Sequence, residues 1–113
     1  MDFILYCLDK PNRADTRRKV RPVHLEYITQ RQGTFRYGGP LVDERGQVKG
    51  SLMIISAPDR AALERHMQGD PYFSADLFES VTIWASRQVI PETIPGSLGT
   101  ELEQARQVAR EAA

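Results

Sequence analysis

A chain of 113 residues, 41% hydrophobic and 27% charged, has the material for one ordinary domain and too little for two. Fifteen lysines and arginines balance fifteen aspartates and glutamates, which excludes general electrostatic attraction to nucleic acid or an acidic membrane as the theme of its function. The single cysteine, Cys7, excludes an internal disulfide, and the opening MDFILYCLDK reads as neither signal peptide nor membrane span, so a reducing, cytoplasmic home is the expectation.

Phe3-Ile-Leu-Tyr-Cys-Leu8 is apolar at both parities of a strand. Neither face can lie against water along its length, which places it centrally in a sheet. From about Arg13 to Gln32 the spacing turns helical, with Val20, His24 and Tyr27, and also Leu25 and Ile28, recurring at three and four residues. Asp15 or Asn12 is the expected cap. Pro22 lacks the amide that would bond the Arg18 carbonyl, so a kink or a fresh helix start is expected one turn before His24. Gly33 fits a helix end with positive φ. Thr34 to Tyr37 reads as a strand running into Gly38-Gly39-Pro40-Leu41, where the glycines and proline mark a bulge or a close backbone approach. Asp43-Glu-Arg-Gly46 is a polar turn, and Val48 to Ala57 is the returning strand, with Met53 and Ile55 on one face and Leu52 and Ile54 on the other.

Ser56-Ala-Pro-Asp59 has the Ser-x-x-Asp form of a helix start, and Ala62, Leu63 and Met67 follow on one face until Gly69. Asp70-Pro71 repeats the pairing of cap and proline at the entry to a single turn. A long strand runs from about Leu77 to Val89. The order strand, helix, strand, strand, helix, strand is the βαββαβ plan of an α+β, ferredoxin-like domain with a four-stranded antiparallel sheet, assigned to residues 1–91. Both helices would cover one sheet face. The apolar residues left on the second face ask for a further cover, and a second copy of the chain is the simplest. Residues 92–113 read as a linker and a short C-terminal helix or tail, the helix beginning near Thr100 with Leu98, Leu102, Ala105 and Ala109 at helical spacing.

The chemistry-bearing residues are few. There is no His-x-x-x-His and no cysteine pair, so no metal site is expected. Gly38-Gly39-Pro40 is too short and proline-blocked to cradle a phosphate. Cys7, inside an apolar strand, reads as an inert core thiol. His24 is the informative residue: Arg17, Arg21, His24 and Ile28 follow at spacings of four, three and four, a helical stripe of two guanidiniums and an imidazole that turns apolar toward its end. The plainer reading of the same spacing is a half-buried histidine bonded to a carbonyl beside a solvated face. Asp70 is equally a helix cap or a carboxylate that orients a histidine. His66 is expected at a helix edge near the C-terminal end, where a positive charge suits the dipole. The stretch from Asp9 to Arg21 carries six basic and two acidic residues, either a solvated flank or a funnel for small anions.

Three motifs, Arg-Pro-Val-His-Leu-Glu-Tyr at 21 to 27, Gly-Gly-Pro-Leu at 38 to 41 and Gly-Asp-Pro-Tyr at 69 to 72, in this order resemble the YciI-like (YCII-related) family from Met1 to about Pro91. The resemblance implies a dimeric α+β barrel of ferredoxin-like protomers and a pocket where the family's histidine and aspartate meet, here His24 and Asp70. Chemistry varies across the wider superfamily, so the name implies no single reaction.

Two functions follow as expectations. The first is a small cofactor-independent enzyme of lyase or isomerase type, moving a proton beside a carbonyl or on a hydroxylated ring. In it His24 is the acid or base, Asp70 holds its ring, Arg17 or Arg21 binds an anionic group, and Tyr6, Tyr37, Gly39 and Tyr72 shape the pocket. The second is a non-catalytic dimeric module that binds a small ligand or a protein, with the His24 and Asp70 pair as a buried structural hydrogen bond. Oxygenation without a cofactor is a third possibility. The expected partners are a second copy of the chain, meeting it through the sheet face, and a small, anionic molecule.

Overall fold

The structure, a computed structural model, describes residues 1–112; Ala113, the end of the expected tail, lies outside the described residues. The elements are β1 (Asp2–Asp9), α1 (Ala14–Thr29), β2 (Phe35–Val42), β3 (Val48–Ser56), α2 (Arg60–Gly69), the single turn α3 (Pro71–Ser74), β4 (Phe78–Ser86) and α4 (Ser97–Ala112). The strands form one antiparallel sheet in the order β2-β3-β1-β4, the ferredoxin-like arrangement expected from the sequence. Among the described residues, no helix is long and apolar enough to cross a membrane.

The doubly apolar β1 takes a central position because both its edges and both its faces need partners. Its odd residues Phe3, Leu5 and Cys7 join Met53, Ile55, Ala57 and Leu63 in the core beneath the helices. The even residues belong to the other face, where Tyr6 and Trp84 stand exposed. Gly50 lets β1 and β3 approach: a Cβ there would lie 2.0 Å from the Cys7 carbonyl oxygen. At the β2–β3 turn, Asp43 Oδ1 accepts from the Arg45 and Gln47 amides, and Gly46 takes a φ of +80° that favours glycine.

Several local expectations are corrected. α1 is capped by neither Asp15 nor Asn12: its N-cap is Arg13, without a side-chain bond. It runs as one helix through Pro22, so no fresh helix starts there, and the exposed ring costs one backbone hydrogen bond without ending the helix. Gly33 lies in a 3-10 turn (Gln32–Thr34) and is absent from the positive-φ glycines. The cap of α2 is Asp59, which accepts from the Ala62 amide at 2.8 Å, so Ser56 remains the last residue of β3 and Pro58 lies before the helix. β4 ends at Ser86. The last helix begins at Ser97, ahead of Thr100, buries no residue, and is tied back by a bidentate Arg87–Glu101 ion pair.

The close approach at Gly50 is testable. Gly50→Ala should cost about 3 kcal/mol, the upper end of ordinary overpacking, because the obstacle is backbone and the strands must separate. Urea unfolding of the two proteins measures it.

Candidate active site

α1 faces the sheet with polar groups. Its two buried residues are Arg17 and His24, so between this helix and the sheet there is a cleft where a second aliphatic layer would otherwise close. A cavity of about 140 Å³ opens there, lined by Arg17, Arg21, His24, Leu25 and Ile28 of α1, by Phe35, Gly38, Gly39 and Pro40 of β2, by Ser51 and Met53 of β3, and by Tyr72 of α3. Gly38 keeps it open: a Cβ there would meet only the Phe35 ring, at 3.7 Å, and would occupy space the cavity now has.

His24 Nδ1 lies 2.8 Å from Asp70 Oδ1. The same Oδ1 accepts the Tyr72 amide at 3.0 Å, so Asp70 is at once the cap of α3 and the partner of His24. An oxygen of a carboxylate accepts, so Nδ1 donates and Nε2 is the basic nitrogen. Asp70 is fully buried, and its Oδ2 has no partner among the described residues. The Tyr72 ring stacks on the His24 ring at 3.8 Å and 11° between planes, fixing the second dimension of the imidazole. Gly69 places Asp70, since a Cβ there would come within 2.6 Å of the Tyr27 hydroxyl, which bonds the His66 carbonyl at 2.7 Å.

Arg17 is 7% exposed and is held by Asp9 through Nε at 2.7 Å and Nη2 at 2.9 Å. Nη2 also donates to Ser51 Oγ at 2.9 Å, and the guanidinium lies 4.8 Å from the Tyr72 ring centroid. Burial pulls the Arg17 pKa down, but the hydrogen-bonded Asp9 carboxylate pulls it up, and the net direction is up. This cation is therefore spent within the wall of the cavity. Arg21, exposed on the same cavity and without an ion pair among the described residues, is the free positive charge. Burial raises the Tyr72 pKa against the opposing charges of Arg17 and Arg21, so its phenol stays protonated at neutral pH.

The stripe of Arg17, Arg21, His24 and Ile28 read from helical spacing does converge on one cavity, with Gly39 and Tyr72. Tyr6 and Tyr37 do not reach it. Tyr6 pairs with Leu52 on the face away from the helices, because side chains alternate along a strand, and Tyr37, which pairs with Ile54 after a register shift in β2, lines the neighbouring groove with Leu25 and Ile28 instead. Two contributors, Asp9 and Ser51, were not singled out by the sequence. Ser51 carries a legible signal: it shares the inward parity of Met53 and Ile55, a polar residue on a core face. Asp9 follows an apolar strand and reads as its polar end, and nothing in the sequence pairs it with Arg17.

Burial first, then the Asp70 and Asp9 carboxylates, push the Cys7 thiol up to about 12 against the nearby Arg17 charge, which makes it inert. His66 sits between the Tyr27 and Phe35 rings. Burial lowers its pKa, with Arg31 and His24 in the same direction and Asp70 opposed, so it is held neutral and the expected favourable dipole charge is overridden. Among the described residues no three His, Cys, Asp or Glu side chains converge as metal ligands would.

Asp9→Ala would leave the buried Arg17 guanidinium charged and without its carboxylate, and should cost about 3 kcal/mol in urea unfolding. His66 should leave a pH signature. Its folded pKa lies below the unfolded value, so the unfolded chain takes up the proton first and stability is lost as pH falls below about 6.5. Thermal melts of His66→Gln should lose less stability than the parent between about pH 7 and pH 5.

Comparison with known proteins adds a frame to this geometry. No curated protein matches the chain. The 5-chloro-2-hydroxyhydroquinone dehydrochlorinase of Burkholderia phenoliruptrix AC1100, solved with 2,5-dihydroxybenzoquinone, is similar in fold with a TM-score of 0.72 at 22% identity, over 78% of this chain and 95% of its own. Rv0793 of Mycobacterium tuberculosis aligns with a TM-score of 0.45 at 18% identity, over 77% of this chain and 94% of its own. The family model of the YCII-related domain matches residues 1–87, and the chain belongs to that family.

Proposed function

We propose that the protein is a small enzyme that needs no cofactor and moves a proton on a compact, anionic, oxygenated ring or carbonyl compound, with His24 as the base and Asp70 as its partner. The observation that carries this reading is the 2.8 Å bond between His24 Nδ1 and Asp70 Oδ1, which leaves Nε2 as the basic nitrogen beside the cavity. Asp70 holds the tautomer and faces the positive charge that forms on the ring when Nε2 takes a proton. Tyr72, stacked on the imidazole, keeps Nε2 aimed.

The cavity's size and lining support this substrate class. An apolar cavity of about 150 Å³ accommodates a benzene ring, and this one is of that order. Leu25, Ile28, Phe35 and Met53 supply apolar walls, and Arg21 supplies a positive charge for an ionised oxygen. The ring-shaped dihydroxybenzoquinone held by the dehydrochlorinase of like fold supports this class. Larger grooves of about 510 and 710 Å³ hold no acid-base pair; the first adjoins the cavity and shares Leu25, Ile28, Phe35 and Gly38 with it.

The larger groove lies along the open sheet face and includes Tyr37, Leu52, Ile54 and Ile90. With Tyr6 and Trp84 exposed on that face, a second copy of the chain is its proposed cover, giving a homodimer.

With 15N-labelled protein, His24 should show the Nδ1-protonated tautomer, and its Nε2 resonance should move on addition of 2,5-dihydroxybenzoquinone. Asp70→Asn should disturb the tautomer. A silent Nε2, with His24→Ala changing only the melting temperature, would leave the pair as a structural hydrogen bond in a non-catalytic module. Once a substrate is in hand, His24→Gln should lower turnover about 10²- to 10⁴-fold. Light scattering at micromolar concentration should give twice the chain mass, and a monomer would refute the sheet-face dimer.

A further inference from the structure

We infer that Ser51 is the hydrogen-bond donor that binds the substrate oxygen on which negative charge collects, and that Arg17 and Asp9 act through it as positioning residues. The inference rests on the proton-transfer reading of the same cavity.

Ser51 is 5% exposed and lines the cavity with His24. A serine hydroxyl has one proton to give and lone pairs to receive. Its oxygen already receives Arg17 Nη2 at 2.9 Å, and the hydrogen bonds of the described residues provide no acceptor for its proton. A half-used buried hydroxyl on a cavity wall is a donor waiting for an acceptor. The incoming bond from a cation polarises the hydroxyl and strengthens what it gives. Asp9 makes this affordable, because its two contacts to Arg17 neutralise the guanidinium and hold it in place.

The result is a fixed order, Asp9 to Arg17 to Ser51 to ligand, that delivers a neutral O–H where a bare guanidinium would otherwise stand. It differs from Arg21, whose free charge attracts an anion without a fixed direction. In the reaction, a C–H or O–H bond of the substrate breaks, and the proton passes to His24 Nε2. The electron pair enters the conjugated system, and the charge collects on the oxygen that accepts from Ser51. Return of the proton at another atom completes an isomerisation, and no oxidant or reductant is consumed. Pre-placed donors at the site of developing charge are a large source of rate enhancement.

The test uses the full chain and 2,5-dihydroxybenzoquinone, read by titration calorimetry and by the infrared carbon–oxygen stretch of the bound molecule. Wild-type protein should bind it with the stretch shifted to lower frequency. Ser51→Ala should bind about ten- to a hundredfold more weakly, the loss of one hydrogen bond to a charged group, and the stretch should return toward higher frequency. Ser51→Cys, with a weaker donor of similar size, should fall between. Full-strength binding by Ser51→Ala, or weaker binding with the stretch unmoved, would overturn the assignment while leaving the reading of His24 intact. The wild-type spectrum decides the matter even if the alanine variant fails to fold, since a bound oxygen that stretches as it does in an aprotic solvent has no donor. Absence of wild-type binding would remove the proton-transfer reading and this assignment together.

Discussion

One oxygen atom organises the site. Asp70 Oδ1 accepts from the Tyr72 amide and from His24 Nδ1, and so couples the start of a one-turn helix to the orientation of an imidazole 46 residues away in sequence. A capping carboxylate is normally half in water, where a second bond adds little. Here the carboxylate is fully buried, so each bond it makes replaces solvent it has lost. The cap fixes the carboxylate, the carboxylate fixes the tautomer, and Tyr72, the residue whose amide is capped, lays its ring on the imidazole. The local need of a short helix and the need of a catalytic base are met by the same atoms.

The cavity beside this pair exists because α1 is a poor hydrophobic helix. A helix with aliphatic side chains at its two inward positions would seal against Cys7 and Met53. With Arg17 and His24 in those places, burial is possible only through partners, which are Asp9, Ser51 and the Tyr72 hydroxyl for the guanidinium and Asp70 for the imidazole. Asp9 and Ser51 come from β1 and β3, and Asp70 and Tyr72 from the start of α3, so α1 is held at this point by directional bonds to the sheet and to that turn. The missing side chain at Gly38 then leaves room for a ligand that a packed interface would exclude.

The order of the elements, the central place of β1, the division of β3 into two faces, the cap at Asp70 and the helical stripe carrying His24 were all legible in the sequence, because each rests on period or on neighbours a few residues apart. The pairing of His24 with Asp70 came from resemblance to a family, since no spacing rule joins positions on separate elements. The helix through Pro22 and the capping of α2 by Asp59 escaped local rules because packing tolerates one lost backbone bond, and a nearer cap displaces the signal at Ser56.

The sequence by itself determined that there is one α+β domain, that β1 is central, and that His24 shares a face with two arginines. Only the tertiary structure decided which of those arginines is free. Arg17 and Arg21 are equivalent in spacing and charge, but the crossing of α1 over the end of β1 brings Asp9 within 2.7 Å of one and leaves the other in solvent. It likewise removed Tyr6 and Tyr37 from the cavity and brought in Ser51. Burial and long-range pairing set the electrostatics of a site, and neither is a property of the chain until it is folded.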